Sequence, residues 1–431
     1  MRCGIAGAVV IAALAVAGCG DDGGTESAEA PEAATQGAKV IDPAVADGAS
    51  GTVTYCTGKD TSGAQKASVR AFNERFADED LKARLLEFPE SADQQRSQFI
   101  QRQRAESGEC DIFYADVIWT AEFASQEWLY DLTPVVEERA DEFIPSTLET
   151  AQYEDRYWGL PKQTDAGFLY YRTDQVDDVP ATWQETYDIA AREDGIVYQG
   201  AAYEGLTVDF LELAFANGGR VLSDDGTASL FDSPENREAL ELMVEGIRRG
   251  AAPRSVVTYM EEQARRAFES GNATFMRNWP YAYALGRRKG SNVRGDFAVA
   301  PLPAFEGGGR AGVLGGHNLV ILAYSENPGG ALKLIEYLTS PEVMERDAVE
   351  YSLAPALAET YEDADVREAL PFAAELKQAV EQARPRPVTP LYPQVSEAIY
   401  SNVNAALSGN TTPADALRRA DEQIEGALDT F

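Results

Sequence analysis

Polar and aromatic residues that could hold a ligand lie beside predicted strand ends, helix starts and loops. Asp116 follows a strand in "DVIW", Asp165 lies in "TDAG", and Glu204 starts a helix in "YEGL". "RNWPYAY" contains Trp279, and "RPRPVTP" holds Arg386 between two prolines. Sugars match this mixture, because their C–H faces stack on aromatic rings and their hydroxyl groups bond to carboxylates and guanidinium groups.

Each of these residues also has an ordinary structural explanation. Trp279 comes shortly after the apolar run 273–276, so it could belong to a core instead of forming a flat platform for a ligand. Asp116 could cap a helix, and Arg386 could pair with an acidic group at the surface. The interpretation as a sugar site therefore depends on the whole set of residues.

Catalytic signatures are mostly absent from the sequence. The one histidine, His317, lies in an apolar strand, where a structural role is more common than a catalytic one. We find no Walker-type phosphate loop, and the glycines at 307–309 precede no helix. Carboxylates are too numerous for a pair to identify a glycosidase, so that class stays open. We predict no catalytic residue, no metal and no cofactor.

The net charge excludes one class of partner. The chain has 431 residues, with 71 acidic and 37 basic residues and a formal net charge of -34. Such a surface repels phosphate backbones, so we expect no binding to nucleic acid. The length allows two or three domains.

The first residues predict export and a membrane anchor. Arg2 precedes the apolar run 5–17, which is too short for a permanent membrane span. The run leads into Val16-Ala17-Gly18-Cys19, which resembles the lipobox of bacterial lipoproteins and implies cleavage before Cys19 and lipidation of its sulfur. The alternative is an ordinary signal peptide with an incidental cysteine. Residues 19–50 are poor in large apolar groups and predict a flexible acidic linker.

Two cysteines remain for the folded part of the chain. Cys3 leaves with the signal peptide and Cys19 would be acylated, so Cys56 and Cys110 are the only possible pair in an exported protein. If the strands beside them are neighbours, a disulfide is geometrically reasonable. Two free buried thiols are the alternative, and a two-cysteine metal site lacks its other ligands.

Strand-like segments alternate with amphipathic helices, which predicts a parallel α/β sheet. Strands are expected at 53–56, 81–88, 111–115, 296–305 and 317–323, and an extended crossing between two lobes near 157–171. Helices are expected at 62–77, 93–107, 183–192, 204–217, 234–249, 259–270, 328–338, 341–350, 365–382, 393–407 and 413–428.

The chain resembles the family-1 extracellular solute-binding proteins of sugar ABC importers, within them the trehalose/maltose-binding branch. The resemblance covers about residues 51–431. Its carriers, besides the lipobox, are "DIFYADVIWTAEFASQEWLYDL" (111–132), "LPKQTDAGFLYYRTD" (160–174), "YEGLTVDFLELAFANGG" (203–219), "FESGNATFMRNWPYAY" (268–283), "GVLGGHNLVI" (312–321) and "ARPRPVTPLYPQVSEAI" (383–399).

The resemblance implies a two-lobe α/β periplasmic-binding-protein fold of type II, like maltose-binding protein, with a hinge between the lobes. It implies a signal peptide at 1–18, a first lobe from 51–164 and 315–354, and a second lobe from 165–314 and 355–431. The residues that would line the ligand site are Asp60, Asp116, Asp165, Glu204, Trp279, Gly315, Gly316 and Arg386. His317 stands where the branch commonly has an aromatic residue.

The implied function is capture of a disaccharide or small α-glucoside between the lobes and its delivery to ABC permease subunits. We expect a monomer on the outer face of the membrane, or in the periplasm, held by its lipid. Two alternatives stay open: Fe(III) capture, since Tyr170-Tyr171 is similar to tandem-tyrosine iron sites, and a secreted glycoside hydrolase. A pure scaffold role has only the lack of catalytic motifs in its favour.

Overall fold

The structure, a computed structural model, describes Thr35 and residues 37–430. The predicted signal peptide and Cys19 lie outside the described residues. Among the helices described, none has the length and apolar composition needed to cross a membrane.

Eleven strands are present in the described part of the chain. They are β1 (Gly51–Thr57), β2 (Leu81–Glu87), β3 (Ile112–Asp116), β4 (Gln152–Tyr153), β5 (Arg156–Tyr157), β6 (Leu160–Asp165), β7 (Phe168–Arg172), β8 (Ile196–Val197), β9 (Phe275–Asn278), β10 (Phe297–Pro301) and β11 (Gly315–Ile321).

Sixteen α-helices connect and cover these strands in the same part of the chain. They are α1 (Ala64–Arg75), α2 (Ala92–Arg104), α3 (Thr120–Ser125), α4 (Thr133–Val136), α5 (Pro145–Glu149), α6 (Trp183–Ala190), α7 (Glu204–Ala216), α8 (Pro234–Arg248), α9 (Glu261–Glu269), α10 (Tyr281–Gly286), α11 (Pro328–Leu338), α12 (Pro341–Tyr351), α13 (Ala364–Ala369), α14 (Ala373–Gln382), α15 (Tyr392–Leu407) and α16 (Pro413–Leu428).

Two main sheets define two lobes. The first lobe contains a five-stranded sheet in the order β2-β1-β3-β11-β6, and the second contains a four-stranded sheet in the order β10-β7-β9-β8. The chain passes from the first sheet to the second at 166–167, between β6 and β7, and returns between β10 and β11. The prediction of two α/β lobes is confirmed, while the residue numbers at which each lobe begins and ends stay a prediction.

Both sheets are covered on both faces. Successive residues of a strand point to opposite faces, so the apolar clusters that neighbouring residues join show what covers each face. In β3, Ile112 and Tyr114 belong to one apolar cluster of the first lobe, and Phe113 belongs to the cluster on the other face. In β7, Leu169 and Tyr170 divide in the same way between two clusters of the second lobe. Nearly continuous apolar strands, instead of alternating ones, follow from this double burial.

Three details differ from the sequence-based expectations. The sheets are mixed: β1, β2 and β3 are parallel, but β11 runs antiparallel to both β3 and β6. The helix expected at 365–382 is two helices, α13 and α14, because Pro371 cannot donate a helical hydrogen bond and disfavours helical geometry in Leu370. A short helix, α10, follows Trp279, where only an aromatic run was recognised.

The predicted linker is wrong in its last residues. Ile41 is only 3% exposed and packs in the first lobe, and Pro43–Ala46 form a 3-10 helix capped by Asp42. The backbone amide of Ile41 also donates to the carbonyl of Asp131 at 3.0 Å. The folded part therefore begins about ten residues before Gly51.

Cys56 and Cys110 form a disulfide in the first lobe. Cys56 lies in β1, which pairs in parallel with β3, and Cys110 stands two residues before β3. The two Cα atoms are 5.9 Å apart, within the range that a disulfide requires. The neighbouring parallel strands thus bring together the two cysteines that the sequence left over.

Candidate ligand-binding site

A cleft between the two sheets contains all eight residues that the sequence analysis proposed for ligand binding. Its lining also includes polar side chains that the sequence analysis did not select. The lining residues are Thr57–Ser62, Gln65, Glu90, Ala92, Gln95, Tyr114, Asp116, Gln163, Asp165, Tyr203, Glu204, Gly205, Val208, Glu261, Glu262, Trp279, Tyr281, Gly315, Gly316, His317, Leu353 and Arg386.

The first lobe presents one edge of its sheet to the cleft. Asp116 is the last residue of β3 and Asp165 the last residue of β6, and the antiparallel strand β11 begins between them at Gly315. The β-strand register places Gly315 opposite Asp165 and His317 opposite Asp116. Because ligands of open α/β sheets bind at the carboxyl ends of the strands, this edge is the expected location of a site.

The second lobe contributes a tryptophan ring held on a buried cation. The Arg277 guanidinium carbon lies 4.0 Å from the centre of the Trp279 ring, a cation–π contact. Arg277 is 2% exposed, and its Nε donates to Glu212 Oε2 at 2.7 Å and lies 3.1 Å from Asp209 Oδ1. The charge below the ring is thus neutralised within the lobe, and the partly buried indole lines the cleft.

Two glycines of the first lobe line the cleft, and one of them comes close to the Trp279 ring. A Cβ atom on Gly315 would lie 3.0 Å from the edge of the Trp279 ring, which is closer than such atoms normally approach. Gly316 has a φ angle of +124°, which side chains rarely adopt, and a Cβ there would lie 2.3 Å from the Gln163 carbonyl oxygen. Glycine thus leaves space beside the Trp279 ring at position 315 and permits the backbone conformation at position 316.

Arg386 joins the two lobes at the cleft. Its Nη1 donates to Glu204 Oε1 at 2.6 Å, and its Nη2 donates to the Leu314 carbonyl at 3.1 Å and lies 3.5 Å from Asp116 Oδ1. Burial raises the pKa of Asp116, and the charge of Arg386 opposes this shift. Arg386 is 6% exposed, and its buried Nε has no hydrogen-bond partner among the described residues.

Glu204 acts on Arg386 instead of facing the cleft with a free carboxylate. Tyr392 donates its hydroxyl to Glu204 Oε1 at 2.6 Å, and Ser396 donates to Oε2. Burial raises the pKa of Glu204, while Arg386 and these two donors lower it. Both carboxylate oxygens are thus engaged inside the second lobe, and Glu204 positions the arginine.

Asp165 has one carboxylate oxygen left for a ligand. Gln163 Nε2 donates to its Oδ2 at 2.6 Å, whereas Oδ1 is buried and has no hydrogen-bond partner among the described residues. Burial raises the pKa of Asp165 to about 7, and the Gln163 hydrogen bond opposes this shift. A hydroxyl donor from a ligand would satisfy the second oxygen.

Asp60 lies at the rim of the cleft but serves a helix. Its Oδ1 accepts from the Gly63 amide at 2.8 Å, and its Oδ2 accepts from the Lys66 amide at 3.0 Å. These bonds satisfy free amides at the start of α1. Asp60 therefore has a structural use in this conformation.

Sequence reasoning missed Tyr114, Gln163 and His317 as parts of the cleft wall. Tyr114 and Gln163 each precede a selected aspartate by two residues on the same strand, so strand periodicity could have found both. His317 stacks on Tyr114 with ring centres 4.1 Å apart and planes within 3°. Burial lowers the pKa of His317 to about 3, and the charge of Arg386 lowers it further.

The tandem tyrosines are not in the cleft lining. Tyr170 is fully buried, and its hydroxyl donates to the Trp279 carbonyl at 2.7 Å. Tyr171 packs against the large apolar cluster of the second lobe. These contacts give the pair a packing role and remove the observation that motivated the iron interpretation.

Comparisons with known proteins agree with this architecture. The profile of the family "Bacterial extracellular solute-binding protein" matches residues 58–345. A Deinococcus radiodurans protein named "Probable ABC transporter-binding protein" is 36% identical over 363 residues, 79% of this chain and 85% of that protein. A "Maltotriose-binding protein" of Pyrococcus abyssi is 27% identical over 294 residues, 65% of this chain and 62% of that protein.

A solved structure of maltose-bound MalE3 from T. maritima has the same fold. It superimposes with a TM-score of 0.83 at 36% sequence identity, and the alignment covers 87% of this chain and 99% of that one. The family match and the Deinococcus relative both describe binding proteins, which excludes the hydrolase alternative. The chain belongs to the bacterial extracellular solute-binding protein family, the binding components of ABC transporters, and is not an enzyme.

Proposed function

We propose that the cleft binds a disaccharide or small α-glucoside of the maltose or trehalose type. The observation that carries the proposal is that an aromatic ring, a buried hydrogen-bond acceptor and a buried hydrogen-bond donor converge in the cleft. Trp279 offers a face for stacking, Asp165 Oδ1 is a free acceptor and Arg386 Nε is a free donor. Maltose in MalE3 and maltotriose in the name of the Pyrococcus relative support the same ligand class.

A titration of the purified protein tests this proposal. Maltose, trehalose, sucrose and maltotriose are titrated calorimetrically, with glucose as the small comparison ligand. We expect saturable binding of at least one oligosaccharide, together with a rise in melting temperature. Binding of Fe(III) with a visible absorption band, and of no sugar, would contradict the proposal.

We further propose that Cys19 carries lipid and retains the protein at the outer face of the cell membrane. The support is the sequence Val16-Ala17-Gly18-Cys19 after an apolar run. Cys19→Ser should move the protein from the membrane fraction to the soluble fraction. If the variant stays with the membrane, the anchor is elsewhere.

The partner that we propose is the permease of an ABC importer. This permease would bind the closed form of the protein, which we propose is a monomer. Membership of a family of ABC transporter-binding proteins supports this partner. Reconstituted permease should hydrolyse ATP faster with the sugar-loaded protein than with the protein alone. Equal rates would exclude that permease as the partner.

A further inference from the structure

His317 is the one histidine of the chain, and its side chain lines the cleft. In β11 it lies directly opposite Asp116 of β3 and Gln163 of β6. Residues that face each other across neighbouring strands lie on the same side of a sheet. His317 thus has a polar side chain of the cleft wall on each side.

The ring of His317 has a fixed support. It is parallel to the Tyr114 ring, with 4.1 Å between the ring centres. The Tyr114 hydroxyl donates to Gln163 Oε1, and Gln163 Nε2 donates in turn to Asp165 Oδ2. These hydrogen bonds link Tyr114, Gln163 and Asp165 to one another and hold the Tyr114 ring against the imidazole.

The imidazole has hydrogen-bonding capacity that the protein does not use. His317 Nδ1 is buried and has no partner in the part of the chain that the structure describes. The low pKa keeps the ring neutral at physiological pH, so one nitrogen donates and the other accepts. A ligand hydroxyl can do both, since it is itself a donor and an acceptor.

We propose that His317 determines which sugar the cleft prefers, through a hydrogen bond between its ring and one hydroxyl group of the ligand. The inference rests on the proposed function. Disaccharides of the same composition differ in where they present a hydroxyl or a C–H group. A buried nitrogen that meets a C–H group stays unpaired, so His317 disfavours any sugar that lacks a hydroxyl at this point.

Three substitutions separate the hydrogen bond from the shape of the ring. His317→Phe keeps a planar ring on Tyr114 and removes both nitrogens. His317→Asn keeps a polar atom near Nδ1, and His317→Gln keeps one near Nε2. Each variant and the wild type are titrated with maltose, trehalose, sucrose and maltotriose, and the melting temperature of each protein is recorded.

We expect His317→Phe to lose about tenfold in affinity for the sugar that the wild type prefers and less for the other sugars. The ratio of affinities between the preferred sugar and the others should therefore decrease. Either the Asn or the Gln variant should restore part of the preference. If His317→Phe does not fold, the Asn and Gln variants carry the comparison, and wild-type preference ratios in both would overturn the inference.

The two levels of the argument fail differently. If the wild type binds none of these sugars, the proposed function is wrong. If the wild type binds and His317→Phe leaves every affinity ratio unchanged, the proposed function stands and the role of His317 is refuted.

Discussion

Trp279 depends on a charged support that the sequence does not reveal. Arg277, two residues earlier in the chain, places its guanidinium group against one face of the indole ring, and Glu212 and Asp209 neutralise it. The ring is partly packed and also lines the cleft, so packing in the lobe and a role as a ligand platform do not exclude each other. A residue can thus satisfy both interpretations.

Replacement of Trp279 should weaken sugar binding with a modest effect on stability. Trp279→Ala removes the stacking face, which we expect to cost on the order of 1–3 kcal/mol of binding free energy. The measurement is calorimetric titration with the preferred sugar, alongside a melting curve.

A buried tryptophan outside the cleft lining provides the matched control. Trp119 is 2% exposed in the first lobe and packs on Phe113. Trp119→Phe should lower the melting temperature and leave sugar affinity unchanged. Trp279→Phe should lower sugar affinity and leave the melting temperature nearly unchanged. Normal binding by Trp279→Ala with a melting temperature many degrees lower would mean that Trp279 is a core residue.

In the conformation described here, where Asp165 is buried, this residue should reduce the stability of the protein as the pH rises. Its pKa is about 7 in the folded protein, against an ordinary value of 3.8. Between these values the folded state keeps a proton that the unfolded chain has released, so this group's stabilising contribution is full below about pH 4 and is lost by about pH 7. We predict that Asp165→Asn removes this dependence and raises stability at pH 8 relative to the wild type.

Urea denaturation of both proteins at pH 5 and pH 8 measures this difference. The same substitution should weaken sugar binding at pH 8 by roughly 1.5–3 kcal/mol, since it removes a charged hydrogen-bond acceptor. An identical change of stability with pH in the two proteins would show that Asp165 does not titrate in this window.

At the scale of elements, the helix α7 is completed by the other lobe. Its N-cap residue, Tyr203, makes no capping hydrogen bond with its side chain. Asp93, in the first turn of α2, accepts from the backbone amide of Glu204 at 3.2 Å, across the cleft. A free amide at the start of a helix needs such an acceptor, so closure of the lobes supplies a missing cap.

We predict that Asp93→Ala weakens ligand binding by roughly 0.5–2 kcal/mol, the usual cost of a lost cap, while Asp93→Asn retains most of the affinity because asparagine caps equally well. The dissociation rate, measured by stopped-flow fluorescence, should carry the change. Glu235 is the matched control, since it lies exposed in the first turn of α8. An equal effect of Glu235→Ala would mean that helix electrostatics, and not the contact across the cleft, is responsible.

The sequence predicted elements better than their arrangement. Helices such as α8 and α11 were predictable because capping residues and a proline stand at their starts. The direction of β11 was not, because a strand near residue 318 joins strands near 114 and 162 only through contacts distant in sequence. The eight site residues could be proposed from the sequence. The use of Glu204 as a support for Arg386 could not, because it also depends on contacts distant in sequence, those with Tyr392 and Ser396.

At the scale of the molecule, some contacts in the cleft favour closure of the lobes and others oppose it. The ion pair between Arg386 and Asp116 joins the lobes, and Arg288 donates to the Ser62 carbonyl at 3.1 Å across them. Burial also raises the pKa of the Asp116 and Asp165 carboxyl groups in this conformation. Opening of the cleft would let water hydrate these groups, whereas in the conformation described here a bound sugar would have to replace that water.

We therefore predict that the free protein is more open in solution than the sugar-bound protein. A ligand that touches both lobes binds only the closed state completely, so it shifts the population toward closure. Small-angle X-ray scattering should give a smaller radius of gyration at saturating sugar, and sugar at a hundred times its Kd should stabilise the fold by about 2.7 kcal/mol. Trp279→Ala should need proportionately more sugar to reach the same compact state, because the closed form it reaches is unchanged. If sugar raises the melting temperature but the scattering curves of free and bound protein coincide, the lobes do not move, and the cleft is preformed in the conformation described here.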